Sequence, residues 1–249
     1  MSKGRIKVAV AGSGGKMGRT LIEAVGADPE LRLAASFDIG ESAAKAIAAG
    51  DVLIDFTRPQ GTLEHLDHCL KLARPMVIGT TGFDAAAKSR IKAAAKKIAV
   101  VLAPNFAVGV NVLGKLAGEA AAILGDAYDV EIIEAHNRHK VDAPSGTALM
   151  LGETVASSLR RKLKDVARHG REGDVGARPG GQIGFHAIRG GDIVGEHTVI
   201  FAGTGERLEL TVRSHSRMTY ALGALRAAKF LRGRRAGLYG ICDVLGERD

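Results

Sequence analysis

The segment Glu134-Ala-His136-Asn137-Arg138-His139-Lys140-Val-Asp142-Ala-Pro144-Ser145-Gly146-Thr147 holds the densest set of proton-transfer and anion-binding groups in the chain. His136 and His139 could ligate a metal, but Arg138 and Lys140 beside them repel a cation and no cysteine accompanies them, so no metal is expected. A solvated basic loop is the ordinary alternative. An anionic-substrate site accounts for more of the residues. Pro144-Ser145 has the chemistry of a helix start, whose backbone N–H groups at Gly146 and Thr147 can take a carboxylate. His136 and Lys140 lie four residues apart, so a turn of helix or a tight loop can aim both at one ligand. A histidine near its neutral pKa can also move a proton there.

A second constellation lies near the N-terminus. Gly12, Gly15 and Gly18 are spaced by three, with Gly14 in addition, directly after an apolar run and directly before a helical pattern. The string is strictly G-x-x-G-x-x-G, but the physics of a dinucleotide turn carries over. Glycine allows the tight turn and the close approach of a pyrophosphate, and the helix that follows presents free N–H groups. Asp38, twenty residues beyond Gly18 and at a strand end, can hydrogen-bond adenosine ribose hydroxyls. NADH or NADPH is the expected cofactor. Asp38 should repel a 2′-phosphate and Ile39 offers no charge to hold one, although Lys16 could; the balance leans to NADH with NADPH also accepted.

These groups need a frame. Ile6–Ala11 reads as a buried parallel strand, and Met17, Leu21, Ile22 and Val25 recur at helical spacing after it. Strands follow at Leu31–Phe37, Asp51–Thr57, Met76–Ile78 and Ile98–Leu102. The Leu63/Leu66/Leu70 pattern and the Ala- and Lys-rich stretch from Ala85 to Lys97 supply helices between them. Repeated strand–helix units specify a parallel sheet with right-handed crossovers. After Asn105 the pattern changes: a helix through Val112–Leu124, a strand Tyr128–Ala135, and a helix starting near Ser145. Residues 170–184, with six glycines, suggest a long loop or lid. Extended segments Phe185–Ile188, Ile193–Phe201 and Arg207–Arg213 precede a closing helix, Met218–Leu231. The expected fold class is α/β, a Rossmann-type parallel-sheet domain (1–107 and 217–249) plus an α+β domain with a mixed sheet (108–216).

Composition excludes several classes. The 249 residues carry a formal charge of +8, but aromatic residues make up only 4%, too few for a nucleic-acid stacking platform. No apolar stretch is read as approaching the roughly 20 residues that span a bilayer. Only Cys69 and Cys242 are present, far apart, which suits a reducing cytosol. His65 and His68 read as surface positions and Arg226, Arg232, Arg234 and Arg235 as a solvated face or subunit contact. His197 and His215, on strands or their ends, could approach the substrate but read better as structural.

The motifs together resemble the 4-hydroxy-tetrahydrodipicolinate (dihydrodipicolinate) reductase family over nearly the whole chain. The resemblance runs from Val8–Gly18 through Gly79-Thr80-Thr81-Gly82-Phe83 and Ala103-Pro104-Asn105-Phe106. It continues in His136–Thr147, Arg189–His197 and Ser216-Arg217-Met218, with Lys140–Thr147 the most specific segment. The resemblance implies an NAD(P)H-dependent reductase of a small cyclic imine dicarboxylate in the diaminopimelate route to lysine, cytoplasmic and homotetrameric, with no nucleic-acid or membrane partner. It makes His136 the acid/base and Lys140 its companion proton donor, with Asn137, Gly146 and Thr147 on the substrate. Gly12, Ser13, Gly14, Gly15, Lys16, Met17, Asp38, Gly79, Thr80, Thr81, Ala103, Pro104, Asn105 and Phe106 become the dinucleotide contacts. Asn137 stands where many members have a second histidine, and Val212 where some have one late in the last strand. A related amino-acid dehydrogenase, or a dinucleotide-sensing regulator, would keep the glycine turn but need neither the Lys140–Thr147 string nor the histidine–lysine pair.

Overall fold

Apolar runs that alternate in the sequence with helical patterns become one parallel sheet. The computed structural model describes residues 4–246. In chain order its first elements are β1 (Ile6–Ala11), α1 (Lys16–Ala27), β2 (Leu31–Phe37), α2 (Ala43–Ala49), β3 (Val52–Asp55), α3 (Pro59–Lys71), β4 (Met76–Ile78), α4 (Ala85–Ala94) and β5 (Ala99–Leu102). There follow α5 (Val108–Leu124), β6 (Asp129–His136), α6 (Gly146–Ser158), α7 (Leu163–Val166), β7 (Ala167–His169), β8 (Ile183–Arg189), β9 (Gly195–Ala202) and β10 (Arg207–Ser214). The chain ends in α8 (Met218–Phe230), β11 (Gly237–Tyr239) and α9 (Ile241–Leu245). Two compact units result: Met1–Val108 with Arg217–Asp249, and Gly109–Ser216.

In the first unit the strand order is β11-β5-β4-β3-β1-β2, all parallel. Side chains alternate across a strand, so Val8, Val10, Val52, Ile54, Val77 and Val101 pack against α1, α8 and α9. Ala9, Ala11, Leu53, Met76, Ile78 and Val100 face the other way onto α2, α3 and α4. Ala11 pairs with both Phe37 and Asp55, Asp55 with Ile78, and Ile78 with Leu102. Five strands therefore end level. The order reverses between β1 and its neighbours, the switch point at which such sheets bind ligands beyond their carboxyl ends.

The second unit has a mixed sheet, β10-β9-β6-β8-β7, in which β6–β8 and β8–β7 are parallel and the pairs with β9 antiparallel. Val130, Ile132, Phe185, Val199 and Phe201 from one face bury against Leu113 and Ala117 of α5 and Leu151 and Val155 of α6.

Several expectations change. β3 stops at Asp55, because Pro59 opens α3 as its first residue. α4 ends three residues early, and α2, α7, β7, β11 and α9 are additional. Residues 108–127, α5 with the short 3-10 turn after it, form one helical stretch of 20 residues apolar enough by length and composition to cross a bilayer. The expectation that no such stretch exists is therefore corrected: valine, leucine and isoleucine spread among alanines and glycines give the helix this character without forming a continuous run. Its Leu113, Ala117 and Ala121 lie in the core of the second unit. The glycine-rich loop is held down: Arg171 and Arg178 both reach Glu131 on β6, at 2.8 and 2.9 Å, and residues 183–184 belong to β8.

Candidate active site

The level strand ends bring the predicted dinucleotide segments onto one edge of the first unit: Gly12–Met17 after β1, Asp38 after β2, Gly79–Thr81 after β4, and Ala103–Phe106 after β5. Gly12 has φ +72°, a left-handed conformation that favours glycine. A methyl group at Gly18 would run into the carbonyl of Gly12, so glycine there lets α1 start hard against the turn. The turn is set by Gly12 and Ser13 N–H donating to Phe37 O (2.9 and 3.1 Å) and Gly15 N–H to Gly12 O (3.0 Å). Gly15, the N-cap of α1, has no side chain to cap the helix, which leaves first-turn N–H groups, beginning at exposed Lys16, for an anion. Met17 packs partly against the core.

Asp38 accepts from Gly14 N (2.7 Å) and Ile39 N (2.8 Å). The Ile39 and Gly14 N–H groups hold its carboxyl below the ordinary value, so it stays ionised. Ile39 is 100% exposed and contributes no cation. Thr81 and Pro104 are exposed. Thr80 and Phe106 are not: the Thr80 hydroxyl turns inward to Thr62 (2.8 Å), and the Phe106 ring packs on Phe56 in the core. Ala103 is buried as well, and Asn105 Oδ1 accepts from Ala107 N (2.8 Å). Thr80, Ala103 and Phe106 thus have mainly backbone to offer a ligand.

In the second unit the proton-transfer cluster is built on β6 and its neighbours. Cross-strand register sets Glu134 beside His197 and His136 beside Arg189. Glu134, 1% exposed, is the hub. Its Oε2 accepts from His136 Nδ1 (2.6 Å) and Arg189 Nη1 (2.8 Å), and its Oε1 from Arg189 Nη2 (2.7 Å) and Ser145 N (3.1 Å). Burial raises the Glu134 pKa, but the hydrogen bonds from Arg189 and His136 outweigh it and hold the carboxyl below its usual value. The carboxylate claims the Nδ1 proton and leaves Nε2 of His136 for chemistry. Burial pushes the His136 imidazole below its ordinary pKa; Glu134 opposes this, while Lys140 and Arg189 reinforce it.

Ser145 caps α6, its hydroxyl accepting from Ala148 N (3.2 Å), and lies 3.1 Å from His197 Nε2. Burial, helped by the charge of His136, pushes the His197 pKa to about 4, so the imidazole that meets this hydroxyl is neutral. The His136 and His197 rings meet edge-on at 5.2 Å. Gly146 and Thr147 are the first two residues of α6. Lys140 Nζ lies 2.8 and 3.0 Å from the two oxygens of Asp142. Asn137 is tied to backbone, accepting from His139 N (3.1 Å) and donating to Ile193 O (3.5 Å).

Sequence reasoning passed over Glu134, Arg189 and Ser145 as working residues and treated His197 as structural. All four lie in segments singled out for other reasons, but the register that brings Arg189 of β8 and His197 of β9 beside β6, and the placement of the α6 start against Glu134, are not written in the local sequence. His65, expected at the surface, is partly buried with Nδ1 2.7 Å from Asp55. A leucine-flanked helix position faces inward when a buried acid waits opposite.

A glycine turn and helix start at the switch point of one unit, with a carboxylate-braced histidine and an ammonium in the other, define a dinucleotide-dependent oxidoreductase. Residues 6–106 match the family model described as dihydrodipicolinate reductase, N-terminus, and residues 109–245 the one described as its C-terminus. The chain belongs to this family. Among its relatives, the 4-hydroxy-tetrahydrodipicolinate reductase of Paraburkholderia phymatum is 52% identical over 98% of this chain and 100% of that protein. The protein of the same name from Dechloromonas aromatica is 54% identical over 97% and 98%. Among solved structures, a dipicolinate-bound dihydrodipicolinate reductase from Paenisporosarcina sp. TG-14 superposes with a TM-score of 0.76 at 28% identity, covering 95% of this chain and 97% of that one.

Proposed function

We propose that the chain reduces 4-hydroxy-tetrahydrodipicolinate to tetrahydrodipicolinate, with loss of water, using NADH or NADPH. The observation that carries this reading is the 2.6 Å contact between His136 Nδ1 and buried Glu134, which leaves Nε2 to handle a proton. The first unit binds the dinucleotide, its first-turn N–H groups on the diphosphate and Asp38 on the ribose, and the bound nicotinamide supplies a hydride. In the second unit the N–H groups of Gly146 and Thr147 take a ring carboxylate. Lys140, released from Asp142 by the incoming anion, binds the substrate and donates. Loss of the ring hydroxyl as water leaves an unsaturated ring conjugated to the imine; hydride adds to a ring carbon, and His136 with Lys140 delivers the balancing proton. Asn137 adds a hydrogen bond to the dicarboxylate.

Asp38, with no cation at Ile39, supports NADH as the better coenzyme. Domain roles follow: 1–107 with 217–249 for the dinucleotide, 108–216 for substrate and for assembly into a homotetramer through its mixed sheet, on whose edge strand β10 Leu208 is exposed. Cys69 and Cys242 are not joined in a disulfide, which supports a cytoplasmic location.

Oxidation of NADH and of NADPH with freshly made substrate tests the reading. Both should be oxidised, NADH with the higher kcat/KM. His136→Gln and Lys140→Ala should each lose about a hundredfold or more in turnover with dinucleotide affinity unchanged. No oxidation with either coenzyme would overturn it.

A further inference from the structure

Asp55 closes β3 in the middle of the level row of strand ends and is 0% exposed. An isolated carboxylate at such a place is expensive, so its partners must be strong. Oδ2 accepts from His65 Nδ1 at 2.7 Å; the acceptor-only carboxylate fixes the proton on that nitrogen. Oδ1 accepts from Thr57 N at 2.8 Å and Thr57 Oγ1 at 2.6 Å. The Thr62 hydroxyl shares its one proton between Asp55 Oδ1 (3.2 Å) and Thr80 Oγ1 (2.8 Å). Thr62 and His65, three apart on α3, share the face turned to Asp55.

Each branch of this network ends on the dinucleotide edge. The methyl group of Thr57 closes over Gly12, where a side-chain carbon would come within 2.9 Å of it. Thr80 belongs to the segment after β4. The His65 ring meets the edge of Phe37 at 4.9 Å, and Phe37 is the residue before Asp38. A leucine would fill the space at Asp55 without the desolvation cost, but it would hold none of these loops.

We propose that buried Asp55 and partly buried His65 are a positioning pair that sets the dinucleotide-binding loops through Thr57 and Thr80. The pair touches no ligand itself. This rests on the reading that the first unit binds the dinucleotide, and it deepens that reading by naming what gives the site its shape.

The test uses the full chain with Asp55→Asn, His65→Gln, Thr57→Val and Thr57→Ser. NADH affinity is read by fluorescence, with affinity for pyridine-2,6-dicarboxylate, kcat at saturating NADH, circular dichroism and melting temperature alongside. Asp55→Asn and Thr57→Val should weaken NADH binding about tenfold. Dicarboxylate affinity and saturated kcat should stay within about twofold, because only the dinucleotide loops are disturbed. Thr57→Ser, which keeps the hydroxyl, should restore NADH affinity. A purely structural role would lower the melting temperature without splitting KM from kcat. If Asp55→Asn does not fold, the valine–serine pair at Thr57 decides alone. Folded variants with wild-type NADH affinity overturn the positioning role and leave the proposed function standing. A wild-type chain that binds neither NADH nor NADPH takes down both.

Discussion

Glu134 serves two residues with different needs, gripping Arg189 with both oxygens while orienting His136. The guanidinium keeps the carboxylate ionised, and the ionised carboxylate fixes the imidazole tautomer. His197 completes the arrangement as a neutral neighbour. Its pKa of about 4 in the folded state lies below the ordinary 6.5, so the unfolded chain binds more protons between those values. The stability this group leaves intact above pH 6.5 is lost as pH falls towards 4, by at most about 3 kcal/mol. Urea unfolding at pH 7, 5.5 and 4.5 should show that loss, and His197→Gln, which cannot take the proton, should remove its share. A variant with the same pH slope as wild type would contradict the assignment.

Among the elements, α1 and α8 share the core on one face of the parallel sheet. Gly223 brings α8 close to the segment after β5: a methyl group there would strike the Phe106 carbonyl. Gly223→Ala should therefore cost about 2 kcal/mol or more, measured by thermal or urea unfolding, whereas an alanine in an unconstrained helix is favourable. Five strands of this sheet, β1 to β5, were legible because each is rich in apolar residues between turn signals. α2 and β11 were not. Seven residues with only Ala46 and Ile47 buried, and three residues on a sheet edge, are too short for periodicity to register. The glycine turn, Asp38 and the histidine–lysine string could be read from type and spacing. The Glu134–Arg189 and Asp55–His65 partnerships could not, since they join residues 55 and 10 positions apart across separate elements.

For the whole molecule, the first unit is assembled from both ends of the chain, with 109–216 inserted between. Since Gly223 lies against Phe106, the ends that flank the insertion meet within that unit. Replacing residues 109–216 by a short Gly/Ser linker should leave a folded chain that binds NADH, checked by circular dichroism and fluorescence titration, with no reductase turnover. An unfolded product would show that the first unit depends on the inserted one.

Level strand ends also limit how such chains can vary. Phe37, Ala11, Asp55, Ile78 and Leu102 stop abreast. One residue gained or lost inside any of these strands would advance or retract its loop by about 3.3 Å and invert every side chain up to the change. Apart from a bulge such as the one where β2 slips by a residue between Leu33 and Ala35, length differences are best absorbed in the connections that lead into the strands, at the far rim of the sheet. Insertions and deletions are therefore expected there, while the edge that carries the Gly12–Met17 and Gly79–Thr81 segments should keep its spacing.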